Sequence, residues 1–247
     1  MSVLNFMNIS IRAKSAEELA RFILKNMDSN SGISVHFVAA STFNKYFLKL
    51  SFPNRNSSLW IADGKPLEAV LRIKYGKDFR GLRSIDFVTQ IFQKSSDELP
   101  LKHFLIGSSF ESAESFRDVI SKNRCHNVAG ILIAPFKNRF NEHYQEWLDQ
   151  INDSEADIVW ITLGSPKQDV IAYELSQISS RCFIAIGAGL DFYTGIRKPA
   201  PNWLRILYME WFYRLIQEPR RLWKRYLFGN LRFLIITFSF LLKKKSN

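Results

Sequence analysis

Apolar residues in the first 196 positions fall into short runs, each closing on a glycine, aspartate or threonine and each followed by a stretch with helical spacing. The runs 34–40, 59–62, 103–106, 127–133, 158–163 and 182–186 predict strands, and 65–75, 111–122, 140–151 and 166–178 predict amphipathic helices. This alternation implies βαβ units and an α/β fold: a doubly wound, Rossmann-like, mostly parallel sheet. Ligands of such sheets bind beyond the carboxyl ends of the strands, so candidate chemistry should follow the apolar runs. After Pro199 and Pro201 the pattern changes to three helix-like stretches, 202–217, 219–228 and 231–242, with a break expected at Glu218-Pro219. The organisation expected is a catalytic core over 1–196 and a C-terminal basic, helical, membrane-associating appendage over 197–247.

Charge sharpens that division. From Arg197 to Asn247 there are 12 Lys/Arg against 2 Asp/Glu, so this segment carries +10 of the chain's +11. It also holds Trp203, Tyr208, Trp211, Phe212, Tyr213, Trp223, Tyr226, Phe228, Phe233, Phe238 and Phe240. Cations interleaved with large apolar side chains suit an anionic surface with an oily layer beneath, or an anionic ligand in a pocket. Lys243, Lys244, Lys245 and Arg232 flank the apolar run 233–242, which is about half the roughly 20 residues of a spanning helix and is expected to lie in an interface.

Cys125 and Cys182 stand far apart and read as thiols in a reducing compartment. His36, His103, His126 and His143 have no metal-ligand spacing and no CxxC occurs, so no structural zinc is expected. Residues 1–20 lack a continuous apolar core and contain Arg12, Lys14, Glu17 and Glu18, so no secretory signal is expected.

Ile61-Ala62-Asp63-Gly64 places a carboxylate at a strand end before a glycine turn; the plain alternative is a helix N-cap. Thr42 and Asn44 follow the preceding strand and could face the same mouth. Gly164-Ser165-Pro166-Lys167-Gln168-Asp169 closes a strand and opens a helix, a natural anion site within reach of Lys167 and Gln168, or merely a good helix start. Gly187-Ala188-Gly189-Leu190-Asp191 is a second strand-to-glycine turn with an acid, and it departs from the dinucleotide fingerprint. Arg214, Arg221 and Arg225 would share a face on a continuous helix, although such arginines are most often solvated or pair locally, as Glu210, Arg214 and Glu218 could.

Taken in order, these segments resemble the WecG/TagA/CpsF family, glycosyltransferase family 26. The pieces are Thr42-Phe43-Asn44, Ala62-Asp63-Gly64, the Asp86 loop, Ile106-Gly107, Ala134-Pro135-Phe136, Leu163 to Asp169, Gly187 to Phe192, Glu210 to Leu215 and Glu218 to Tyr226. The resemblance implies a metal-independent, inverting transferase with no cofactor, moving a sugar of the N-acetylmannosamine, N-acetylmannosamine uronic acid or glucose type from a UDP-sugar to an undecaprenyl-diphosphate-linked glycan. The setting it implies is peripheral, on the anionic inner face of a bacterial cell membrane. It implies Asp63 as the general base, Thr42 and Asn44 as the polar pair of the same pocket and Gln168 as a donor contact. Arg214, Arg221 and Arg225 are implied to meet diphosphate, and Arg83, Asp86, Gly164, Lys167, Gly187 and Asp191 to line the substrate site. The chain departs from the pattern at Asp169, where the family has Glu, and at Ser84, where it has Gly. Arg80 and Arg83 both compete for the role of the loop arginine.

Three other readings compete, one of them a non-catalytic membrane scaffold that keeps the fold, against which the intact Asp63, Gln168 and tail arginines argue. A basic aromatic tail could bind nucleic acid, but its apolar content exceeds that need and no nucleic-acid motif occurs. A dinucleotide-dependent oxidoreductase fits the alternation but lacks the first-strand glycine fingerprint. Donor sugar, acceptor linkage and oligomeric state, homo-oligomer included, stay open.

Overall fold

A computed structural model describes residues 3–6, 9–12, 15–27, 31–42, 58–76, 78–94, 100–107, 109–122, 125–134, 143–207 and 209–242. The strands are β1 (Val3–Phe6), β2 (Ile9–Arg12), β3 (Ile33–Val38), β4 (Ser58–Ala62), β5 (Leu101–Gly107), β6 (His126–Ile133), β7 (Ile158–Ile161) and β8 (Cys182–Ala185). The helices are α1 (Ala16–Asn26), α2 (Lys65–Tyr75), α3 (Ser84–Lys94), α4 (Phe110–Ser121), α5 (Tyr144–Asp153), α6 (Lys167–Ile178), α7 (Ala188–Tyr193), α8 (Asn202–Ile206), α9 (Glu210–Gln217) and α10 (Pro219–Leu242).

One sheet runs in the order β1-β2-β4-β3-β8-β7-β5-β6. The six strands expected from the apolar runs form its contiguous parallel block. Strand β2 joins that block in parallel beside β4, and β1 pairs antiparallel at the edge. Every residue of β3, β4, β7 and β8 is buried, which is why these strands read as unbroken apolar runs. On one face Leu19 and Ile23 of α1, Phe87 and Ile91 of α3, Phe116 of α4 and Leu190 of α7 cover the sheet. On the other, Trp147 and Ile151 of α5 pack with Ile171 and Leu175 of α6, while Leu67 and Leu71 of α2 pack with Phe233 and Ile236 of α10.

A polar chain crosses the core. Trp160 Nε1 donates to His103 Nδ1 at 3.0 Å, His103 Nε2 to His126 Nδ1 at 2.8 Å, and His126 Nε2 to the Phe92 carbonyl at 3.2 Å. The network assigns both imidazoles as neutral, protonated on Nε2. Burial, with His126 alongside, holds His103 well below its ordinary pKa, and burial lowers that of His126. Cys125 and Cys182 are free thiols, the latter pushed up to about 12 by burial.

The C-terminal region differs from its expected segmentation. The stretch 202–217 divides into α8 and α9, whereas 219–228 and 231–242 fuse into the single helix α10 of 24 residues. Gly229 does not break α10; the helix passes Ser41 here, whose backbone would stand at ordinary van der Waals distance, 3.5 Å, from a Cβ. Tertiary packing here outweighs a helix propensity about 1 kcal/mol below that of alanine. Buried positions Leu222, Tyr226, Gly229, Phe233 and Ile236 recur at alternating spacings of four and three, one stripe of the helix. Lys74 of α2 donates to the Phe240 carbonyl at 2.6 Å, satisfying an acceptor of the last turn, and its ammonium lies over the Phe240 ring. The opposite side exposes Leu227, Phe228, Leu231, Leu234, Ile235 and Phe238. The segment Leu222–Leu242 is long and apolar enough to cross a membrane by length and composition, although Lys224, Arg225 and Arg232 interrupt it and leave 233–242 as its continuous apolar run. Its buried stripe nevertheless lays it along the α/β unit.

Candidate active site

A cleft of about 1580 Å³ opens at the carboxyl ends of the parallel strands, under a wall made by α8, α9 and α10. Every candidate residue whose side chain is described lines it: Thr42, Asp63, Arg83, Asp86, Gly164, Lys167, Gln168, Gly187, Asp191 and Arg214. Asn44 lies outside the described residues, as do Lys243, Lys244 and Lys245 and the side chains of Arg221 and Arg225. The break at Glu218 puts Arg214 on α9 and Arg221 and Arg225 on α10, so the three do not share one helix.

Asp63 sits at the end of β4, where its N–H is held by the Val38 carbonyl at 2.8 Å. Gly64, at φ 87°, turns the chain into α2 with no side-chain cap hydrogen bond, so Asp63 is not that helix's N-cap. Its carboxyl is pushed up from 3.8 to about 6, first by burial and then by the negative charge of Glu210. The Ser84 hydroxyl, Arg214 and Arg83 favour the charged form and hold the rise in check. An acid of this kind is mostly ionised at neutral pH yet basic enough to take a proton.

The neighbouring turns are braced from within. Thr42 is buried, and its hydroxyl accepts the Ala39 N–H at 3.2 Å. Gln168 is 4 % exposed; its Oε1 accepts the Gly164 N–H at 2.9 Å and its Nε2 donates to the Ala185 carbonyl at 3.2 Å. The amide thus ties the β7 turn to the end of β8, and Gly187 gives it room, since a Cβ there would stand 3.1 Å from Gln168 Oε1. Part of the helix-start anion site expected around Gly164 is therefore filled by the protein itself. Glu68, which the sequence reading passed over, accepts the Gly81 N–H at 3.2 Å and pairs with Lys65 at 3.1 Å, anchoring the loop that carries Arg83. Arg83 lies 3.5 Å from Asp86, whose carboxylate is half exposed.

The region also holds an ion chain the sequence did not announce. Asp191 Oδ1 accepts from Ser112 Oγ at 2.7 Å and Oδ2 from Arg197 Nε at 2.7 Å, while Arg197 Nη1 reaches Glu218 Oε2 at 2.6 Å. On spacing alone Glu218 pairs locally with Arg214, four residues before it. Only the position of Arg197 at the start of the basic segment could have drawn attention to it. Among the described residues no group of three metal-ligating side chains comes together.

The family model for glycosyl transferases of the WecG/TagA/CpsF type matches residues 4–247. The chain belongs to this family. Two curated relatives carry the name N-acetylglucosaminyldiphosphoundecaprenol N-acetyl-β-D-mannosaminyltransferase. One, from Bacillus spizizenii, is 25 % identical over 165 residues, covering 66 % of this chain and 58 % of the relative. The other, from Bacillus subtilis, is 38 % identical over 98 residues, covering 39 % of this chain and 38 % of the relative. The matched stretches thus span less than two thirds of either relative's length.

The departures from the WecG/TagA/CpsF pattern find their places in this geometry. Asp169 lies fully buried under the β7 turn, accepting from Ser165 Oγ and standing 3.3 Å from His36 Nδ1, out of the cleft. Ser84, in the glycine position, starts α3 against Gly189 of α7, where an added Cβ would come within 2.8 Å of it. Of the two loop arginines Arg83 faces the cleft, whereas Arg80 is exposed and donates to the Phe79 carbonyl at 3.2 Å.

Proposed function

We propose that this chain is an inverting, metal-independent glycosyltransferase. It moves a sugar of the N-acetylmannosamine type from a UDP donor to a polyprenyl-diphosphate-linked acceptor. The observation that carries the reading is Asp63: an acid raised to about 6, at a strand end, facing a cleft that also presents Arg83, Lys167 and Arg214. Family membership and the printed names of the two relatives support the reaction class and the acceptor.

Asp63 takes the proton of the acceptor hydroxyl as that oxygen forms its bond to the anomeric carbon. The bond from that carbon to the donor diphosphate breaks on the opposite side, and UDP departs with the electron pair. Positioned general bases contribute about 10²- to 10⁴-fold. Arginine forks and Lys167 meet the charge developing on the diphosphate, and the described parts of Arg214 and Arg83 already favour negative charge in the cleft. The exposed apolar side of α10 lies against the cytoplasmic leaflet of a bacterial membrane, where a lipid-linked acceptor resides, and basic residues add about 1 kcal/mol each near anionic headgroups.

The test is a panel of UDP-sugars, UDP-N-acetylmannosamine among them, offered with a short-chain polyprenyl-diphosphate-N-acetylglucosamine and read by mass spectrometry. Transfer from one donor, lost in Asp63→Asn with donor binding retained, is the expected result. No transfer from any donor, or an unchanged rate in Asp63→Asn, would overturn it.

A further inference from the structure

Helix α9 poses a structural problem: none of its residues is buried, yet it brings Glu210 and Arg214 to the rim above Asp63. Its own packing is slight, Trp211 standing edge-on to the Tyr226 ring of α10 and Arg214 lying over the Phe192 ring, so a further tie is needed to set its place. Its far end runs into Glu218, a non-helical residue at φ −134° and ψ 60°. The N–H of Glu218 is held by the Arg214 carbonyl at 3.0 Å, and its carbonyl receives the Leu222 N–H at 3.0 Å. Fixing the Glu218 side chain therefore fixes both the exit of α9 and the entry of α10.

That side chain is held by Arg197, and Arg197 is held by the core. Its Nε lies 2.7 Å from Asp191 Oδ2 and its Nη1 lies 2.6 Å from Glu218 Oε2, so one guanidinium joins two carboxylates from different elements. The Arg197 N–H also reaches the Asp191 carbonyl at 3.1 Å. Asp191 in turn is steadied by Ser112 of α4 at 2.7 Å. The guanidinium and the Glu218 carboxylate each keep only about a quarter of their surface, 24 % and 25 %, which limits screening by solvent. Without the cation, Asp191 and Glu218 would repel each other across the joint.

We propose that Arg197 is a positioning residue that seats α9, and with it Arg214, over the cleft by clasping Asp191 and Glu218 together. This rests on the reading of Arg214 as a cation for the donor diphosphate. It also gives Asp191 an occupation other than ligand contact. Lysine cannot replace Arg197 here, because its three N–H groups radiate from one nitrogen, whereas the guanidinium reaches the two acids from separate nitrogens, Nε and Nη1.

The test uses the full chain with Arg197→Ala, Arg197→Lys, Glu218→Gln and the double variant Arg197→Ala/Glu218→Gln. Backbone hydrogen exchange and transfer kinetics are measured side by side. In Arg197→Ala, exchange over 202–222 should rise about tenfold or more while 101–133 stays protected. Turnover should fall about 10- to 100-fold, with a smaller change in donor KM. Arg197→Lys should recover little of either, and the double variant should be no worse than Arg197→Ala, since both changes remove one interaction. Unchanged exchange in Arg197→Ala, additive losses in the double variant, or full turnover with α9 released would each overturn the proposal. If wild-type protein transfers no sugar yet Arg197→Ala still frees α9, the clasp stands and the transferase reading fails.

Discussion

The floor and the wall of the cleft are built on different physical terms. The floor grows out of fully buried parallel strands, and its polar side chains are braced by backbone groups: Thr42 by the Ala39 N–H, Gln168 by Gly164 and Ala185. The wall consists of a helix with no buried residue, an ion chain and one apolar stripe on α10. Preorganisation therefore resides in the floor and adjustability in the wall. The base belongs to the part that cannot move, and at least one of its charged partners to the part that can.

The sharpest break of that contrast is Asp63→Asn. Transfer should drop by about 10²- to 10⁴-fold. Stability should move the other way. Between an unfolded value of 3.8 and a folded value of about 6, the folded protein holds a proton that the unfolded chain has shed. Stability therefore falls as pH rises through that window, and the penalty is fully present above about 6. Removing the charge should recover on the order of 3 kcal/mol at pH 7, read by urea denaturation. A variant that is inactive and less stable would place Asp63 among the structural braces.

Phe233→Ala attacks the wall where it becomes core. The ring is almost wholly buried with Val38, Trp60, Leu67 and Leu71, so its removal should cost about 3–5 kcal/mol. Truncation after Ala200 should do more than silence transfer, because it strips this cluster of its cover. A shortened chain that melts like the intact one would mean the cluster closes without α10.

The imidazole chain sets a smaller, pH-dependent effect confined to the core. Both histidines are held below their ordinary value, so the unfolded chain binds protons first. The stability they contribute is complete above about 6.5 and is lost as pH falls below it. In the Asp63→Asn background this should show as a decline in melting temperature below pH 6.5 that His126→Asn reduces, the part due to the burial of His103 remaining.

Smallest is Ser84→Ala. The hydroxyl favours the charged form of Asp63, so its loss should raise the midpoint of the acidic limb of kcat/KM above about 6. At pH 6 a loss of about two- to threefold is expected, fading toward pH 8. A limb that does not move would detach Ser84 from the base.

Strands buried on both faces announce themselves as apolar runs, so the parallel block was legible. The edge pair β1 and β2, four residues each, was too short to stand out. Helix α1 did carry a signal that went unused, the capping box formed by Ser15 and Glu18. Asp63 was legible because an acid after a strand and before glycine is a local pattern. The division of labour around it was not. Whether Gln168 faces a ligand or a backbone carbonyl, and whether Glu218 pairs with Arg214 or Arg197, depends on partners that only the folded chain brings near.

The chain from Trp160 through His103 and His126 to the Phe92 carbonyl has all its N–H groups pointing the same way. Strands β5 and β6 carry an irregularity between His103 and Phe104, where the pairing jumps from Val128 to Gly130. A one-residue slip of β6 would swing His126 to the other face and leave His103 with a buried donor and no acceptor. The relay is thus a key cut for a single alignment. Together with Gly130, where a Cβ would stand 2.4 Å from the Phe104 ring, it holds an outer strand to one pairing.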